Sequence, residues 1–220
     1  MCEKQSKKIN PDTAIFLMEE YKFLNESFLR NEELGERRVS FFITLATSII
    51  GGLLATFKLA AGKIHPIITV SILLALFFFG LVTLRRIIRR NLVTHEYLRK
   101  LGRIRHYFFR SDPPIEKHLP YPPYDDEPQR HKNYQKKKFW SLGTGGLVEM
   151  VEIVNNFIIF IVLVISIRTT PPPCPWIVCI LFGLIGFIFS WIIQYNFVGY
   201  YYEKEKPKEK DILFPSPKGA

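Results

Sequence analysis

The chain has 220 residues, 48% of them hydrophobic and 23% charged, with a formal net charge of +10. Those averages would suit a soluble protein, but the charges are gathered in blocks between long uncharged runs, which excludes an evenly solvated globule. Cys2, Cys174 and Cys179 have neither zinc spacing nor the makings of a disulfide framework. No nucleic-acid recognition motif accompanies the positive charge, so the basic residues are assigned to membrane topology and anionic lipid headgroups, with no nucleic acid expected.

Residues 1–38 form a cytosolic arm. Asn10 is placed to cap a helix whose first turn holds Pro11 and Asp12. Ala14, Leu17, Tyr21, Leu24 and Phe28 then recur at spacings of three and four, which makes one apolar stripe on an amphipathic helix. Acids and bases are nearly balanced here, whereas adhesion to anionic lipid favours a basic polar face, so the stripe is expected to pack against protein. Cys2 has no apolar signal run before it, and no cleavable secretory signal is expected.

Residues 39–84 read as a transmembrane hairpin. The uncharged run from Val39 to Phe57 reaches roughly 28 Å as a helix, close to the thickness of a bilayer's hydrocarbon. Arg37 and Arg38 bound it at one end and Lys58 and Lys63 at the other. A short turn from Gly62 to Pro66 leads to a second run, Ile64 to Leu84, in which a proline in the first turn costs little. Thr47, Gly51 and Ala55, with Ser48 and Gly52 beside them, make a face of small residues expected to meet the second span.

Helical periodicity continues past the membrane through residues 85–111, with Ile88, Leu92, Tyr97, Leu101, Ile104 and Phe108 marking an apolar stripe. Arg85, Arg86, Arg89 and Arg90 lie where headgroups would be and are the candidate lipid contacts. The later stripe is expected to pair with that of the arm, since both helices emerge on the same side.

The run Glu96-Tyr97-Leu98, then Leu101-Gly102-Arg103-Ile104-Arg105, then Tyr107-Phe108 resembles a helix found after a membrane hairpin in uncharacterised bacterial membrane proteins. Over residues 12–110, the order of helix, hairpin and long cytosolic helix is also similar to the SLATT-type two-span modules of prokaryotic nucleotide-signalled defence. The resemblance implies a pore-forming effector; this chain departs from it by adding two more spans.

Residues 112–146 change character. Pro113, Pro114, Pro120, Pro122, Pro123 and Pro128 break any helix, and Lys136, Lys137 and Lys138 close a basic connector. The PxxP spacing of Pro120 and Pro123 reads as extended linker. Gly143, Thr144, Gly145 and Gly146 read as a hinge, since no GK[ST] follows to make a phosphate loop.

Residues 147–202 form the second hairpin. Its first span, from about Leu147 to Ile167, carries Glu149, Glu152, Asn155 and Asn156 on adjoining helical positions, a candidate polar patch in the membrane. The carboxylates are expected to pair with one of the four arginines; a hydrated cation path and simple exposure at the interface are the alternatives. After Arg168 and a proline-rich turn, Trp176 to about Tyr195 makes the last span, with Gly186 and Ser190 as a close-packing face. Tyr195, Tyr200, Tyr201 and Tyr202 form an interfacial belt before the charged tail, residues 203–220.

Of the 30 basic residues, only Lys58, Lys63 and Arg168 fall in the two short turns, which puts both termini in the cytosol. The expected fold is all-α: an integral membrane protein with four transmembrane helices in two antiparallel hairpins, plus amphipathic cytosolic helices before the first span and continuing the second. His65, His95, His106, His118 and His131 form no HExxH, and no nucleophile motif or cofactor loop is present. The first functional reading is a non-enzymatic plasma-membrane protein acting through self-association, as a homo-oligomer, or through partner binding. A small cation channel or transporter using Glu149 and Glu152 is second, and a membrane-embedded enzyme third.

Overall fold

A computed structural model describes residues 10–59, 65–119, 123–125, 146–172, 174–204 and 212–215. The fold is all-α. Its four helices, α1 (Pro11–Leu59), α2 (Pro66–Ser111), α3 (Leu147–Thr169) and α4 (Trp176–Lys204), are each long and apolar enough to cross a membrane. The PxxP start, the lysine run 136–138, the hinge residues 143–145, the turn 60–64 and most of the charged tail lie outside the described residues.

The helix starts follow their local chemistry. Asn10 Oδ1 accepts from the Asp12 amide at 3.0 Å, which satisfies one of the donors that an α-helix leaves unpaired in its first turn. Pro66 occupies the first position of α2, where a missing N–H costs nothing. Gly146 precedes α3 without a side-chain cap, and Glu149, the acid in that first turn, puts negative charge at the positive end of the helix dipole. The last helix runs past Tyr195 to Lys204, so the tyrosine run is helical; its sequence up to that point has no proline to stop it.

The chain divides into two compact units, and α1 and α2 contribute to both. The first unit takes residues 1–33, 90–142 and 205–220. Its core is Leu24 of α1 against Leu101 and Ile104 of α2, with Leu17, Tyr21, Tyr97 and Phe108 packed around them. The two stripes read from periodicity thus find each other. Each fully buried leucine or isoleucine contributes about 1.5–3 kcal/mol of transfer free energy.

Polar contacts fix the register of this pair. Asn31 Nδ2 donates to Thr94 Oγ1 at 2.9 Å and to the Arg90 carbonyl at 3.3 Å, and Thr94 Oγ1 donates to Glu32 Oε1 at 3.0 Å. Arg90 is buried, gives a hydrogen bond to the Glu32 carbonyl at 3.0 Å and faces its carboxylate at 3.8 Å.

A second contact set clamps residues 123–125 and 212–215 onto α2. Asp125, 1% exposed, accepts from Arg103 Nε at 2.8 Å, the Phe214 amide at 2.8 Å and the Leu213 amide at 3.2 Å. Its own amide donates to the Phe214 carbonyl at 3.1 Å. The Phe214 ring stacks on His106 at 4.0 Å, and His106 Nδ1 donates to the Pro123 carbonyl at 3.1 Å, which assigns the imidazole proton to that nitrogen. Tyr124 lies directly over Gly102: a Cβ there would stand 2.5 Å from the Tyr124 carbonyl oxygen, so the helix needs glycine at this crossing.

The second unit takes residues 34–89 and 143–204. Here one expectation is corrected. The small-residue face Thr47, Ser48, Gly51, Gly52 and Ala55 does not meet the second span; all five are exposed, and a Cβ at Gly51 or Gly52 would have nothing within 4 Å. Val39, Phe42 and Ala46 are buried instead. The small residue at this crossing comes from the other helix: Gly80 of α2 receives the Phe42 ring, whose neighbour Phe79 lies 6.1 Å away centroid to centroid. The same logic joins α3 and α4, where Gly183 admits Phe160 and Val164 and Gly186 admits Leu163.

Candidate functional site

Apolar helices that carry buried amides concentrate whatever specificity they have at those amides, because an unpaired amide in an apolar medium costs about 2–7 kcal/mol. The second unit holds such a group. Asn155 and Asn156 of α3 are 0% and 1% exposed, and Gln194 of α4 is 3% exposed. Gln194 Nε2 donates to Asn156 Oδ1 at 2.7 Å and to Ser190 Oγ at 2.9 Å, while its Oε1 accepts from Asn155 Nδ2 at 3.2 Å. One side chain therefore uses both amide hydrogens and its oxygen to tie two residues of α3 to its own helix.

The remaining oxygen of this cluster is the exception. Asn155 Oδ1 is buried with no hydrogen-bond partner and is pressed against Gly80 of α2. Any residue with a Cβ at position 80 would strike it. One turn before Asn155, Glu152 is 6% exposed, so a buried carboxylate adjoins the amide cluster along α3.

The patch read from the sequence is therefore divided. Glu152, Asn155 and Asn156 are buried, whereas Glu149 is half-exposed at the start of α3. Two members were missed. Sequence pattern marks Ser190 only as a small packing residue and does not mark Gln194; a serine and a glutamine four apart in an otherwise uncharged span are the available signal.

The arginine group divides as well. Arg85, Arg86 and Arg89 are exposed, but Arg90 is turned inward onto Glu32. Arg90 is thus not a surface residue, because its helix position faces α1 rather than solvent. The carboxylate expected to pair with this group from Glu149 or Glu152 is, for Arg90, supplied by Glu32.

Outside the spans, the surroundings alter the ionisation of Asp125. Burial pushes its carboxyl up, but the Arg103 hydrogen bond, the amides of Phe214 and Leu213 and the Arg103 charge outweigh this and hold it below the ordinary 3.8. Among the described residues no group of three or more His, Cys, Asp or Glu is arranged to hold a metal ion. Cys174 and Cys179 are free thiols. Comparison with protein-family models, with curated proteins and with solved structures finds no match for this chain.

Proposed function

We propose that this chain is a multi-pass plasma-membrane protein, with both termini cytosolic, that works non-enzymatically by self-association and whose assembled state forms a pore or perturbs the bilayer. The observation that carries this reading is apolar surface in the first unit. The inner stripe of α1 is already satisfied by α2, yet Ile15, Phe16, Met18, Phe23 and Leu29 of the same helix remain 55–65% exposed. Support comes from the amide cluster, whose hydrogen bonds turn inward on one another, so that assembly rather than a single-chain path is the simpler route to activity. Exposed Arg85, Arg86 and Arg89 suit anionic headgroups as the lipid partner. The resemblance to SLATT-type modules points the same way.

Photobleaching steps counted on labelled protein in liposomes, over a series of protein densities, are expected to show multimers, with dye release rising alongside. A chain that stays single at every density would sink the proposal. Cysteine labelling from outside intact cells is expected at position 62 and not at position 133.

A cation path is the second reading, favoured by the buried Glu152 beside the unpartnered Asn155 Oδ1. It predicts that Glu152→Gln changes cation selectivity in liposomes while leaving thermal stability unaltered.

A further inference from the structure

The first unit has two unlike outer faces. On α1, Ile15, Phe16 and Phe23 are 60%, 65% and 64% exposed, and Glu19 and Glu26 are exposed between them. On α2, Val93 and Tyr107 are 39% and 38% exposed, with Lys100 and Arg110 exposed alongside and Arg99 half-buried. Two ion pairs among the described residues, Glu32 with Arg90 and Asp125 with Arg103, use other side chains. In the first unit's part of α1, Lys22 and Arg30 are outnumbered by Asp12, Glu19, Glu20 and Glu26; along the outer face of α2 the exposed charges are mainly basic, with Glu96 the acid.

We propose that the α1 face around Phe16, Glu19, Phe23 and Glu26 of one copy docks on the α2 face around Val93, Lys100, Tyr107 and Arg110 of a second copy, in a head-to-tail contact. This rests on the self-association reading and names its surface. Three physical arguments select this occupant. An anionic membrane would be repelled by a mainly acidic face, whereas interfacial helices carry basic ones. Pairing α1 with α1 would set Glu19 and Glu26 against their own copies, and pairing α2 with α2 would do the same for Lys100 and Arg110. Joining α1 to α2 matches opposite charges and covers exposed aromatic and aliphatic side chains on both sides at once. Such a contact uses different patches on the two partners, so a pair retains one unused face of each kind and the contact repeats, as a ring where the rotation closes and as a filament where it does not.

The test uses the full chain in liposomes, with donor- and acceptor-labelled copies and energy transfer read over a dilution series. Glu19→Lys with Glu26→Lys makes the α1 face basic; Lys100→Glu with Arg110→Glu makes the α2 face acidic. Each double variant alone is expected to raise the apparent dissociation constant by about tenfold or more. An equal mixture of the two double variants is expected to regain energy transfer between them, because each reversed face meets its complement on the other protein. That mixing step separates docking from damage within one chain, which no second protein can repair. Double variants that assemble like the unmodified chain, or a mixture that fails to recover, would overturn the docking surface while leaving self-association intact. An unmodified chain without energy transfer at any density would instead overturn self-association itself. Quenching of a Phe16→Trp probe by brominated lipid would place a membrane on the α1 face and end the proposal.

Discussion

The two units solve the same problem, holding helices in register, with different chemistry. The first uses charge: Arg90 on Glu32 and Arg103 on Asp125, each with neutral hydrogen bonds around it. The second uses the neutral amides of Asn155, Asn156 and Gln194 with the Ser190 hydroxyl. Water at the edge of a unit keeps a guanidinium tolerable, and the Arg103 side chain is 36% exposed. Inside apolar helices a charge is far more costly than an amide, so neutral groups supply direction without a large desolvation penalty. The difference predicts that single substitutions cost more in the charged unit than in the amide cluster.

The largest effect is expected at Asp125. Removing its carboxylate takes the acceptor from Arg103 Nε and from the amides of Leu213 and Phe214, a loss of about 3 kcal/mol, at the low end for a buried pair because Arg103 keeps contact with water. Fluorine NMR of a fluorinated Phe214 should show the ring leaving His106 in Asp125→Ala. The same signal gives the pH dependence. Because the folded carboxyl is held below the ordinary 3.8, its contribution is complete above that value and is lost as the pH falls through the lower, folded value. Asp125→Asn should abolish that acid step. A Phe214 signal unchanged in Asp125→Ala would break the contrast between the units.

Next comes Gly80→Val. Its side chain would collide with Asn155 Oδ1 and with the Phe42 ring, and overpacking of this kind costs about 1–3 kcal/mol. Thermal unfolding in detergent is the measure. Gly52→Ala, which meets open space, should change stability by less than about 0.5 kcal/mol and serves as the control.

The smallest effect sharpens the comparison most. A double-mutant cycle with Asn155→Leu and Gln194→Leu should give a coupling of about 0.6–1.7 kcal/mol, the range found for hydrogen bonds between membrane helices. A coupling as large as the Asp125 loss would mean that the amides, and not the ion pairs, carry the greater share.

Much of this was legible beforehand for one reason: where charged residues alternate with apolar ones, helical periodicity marks a stripe that is buried. Leu17, Tyr21 and Leu24 on one helix and Leu101 and Ile104 on the other each mark a stripe in need of a partner, and they pack together. The Asn10 cap and the four spans were equally plain. Within the spans the same signal fails. Both the inner and the lipid-facing sides are apolar, so Phe42 and Gly51 could not be told apart as inward and outward by pattern. The polar partners were hidden differently. Nothing local links Glu32 to Arg90, Gln194 to Asn155, or Phe214 to Asp125, because these pairs depend on register between elements remote in the chain. Glu149 is different, since its place in the first turn of α3 sets its negative charge at the positive end of the helix dipole.

The clamp at Asp125 has a consequence for biosynthesis. Asp125 and Phe214 are separated by 89 positions, and both membrane helices of the second hairpin lie between them. At the usual pace of translation that interval lasts about 4 to 18 s. Until the ribosome has passed it, Asp125 and Arg103 await the amides that complete their site, and closing so long a loop is among the last ordering steps available to the nascent chain. Completion of the first unit is thereby tied in time to synthesis of the fourth helix, and a ribosome that stalls within the second hairpin leaves the clamp open.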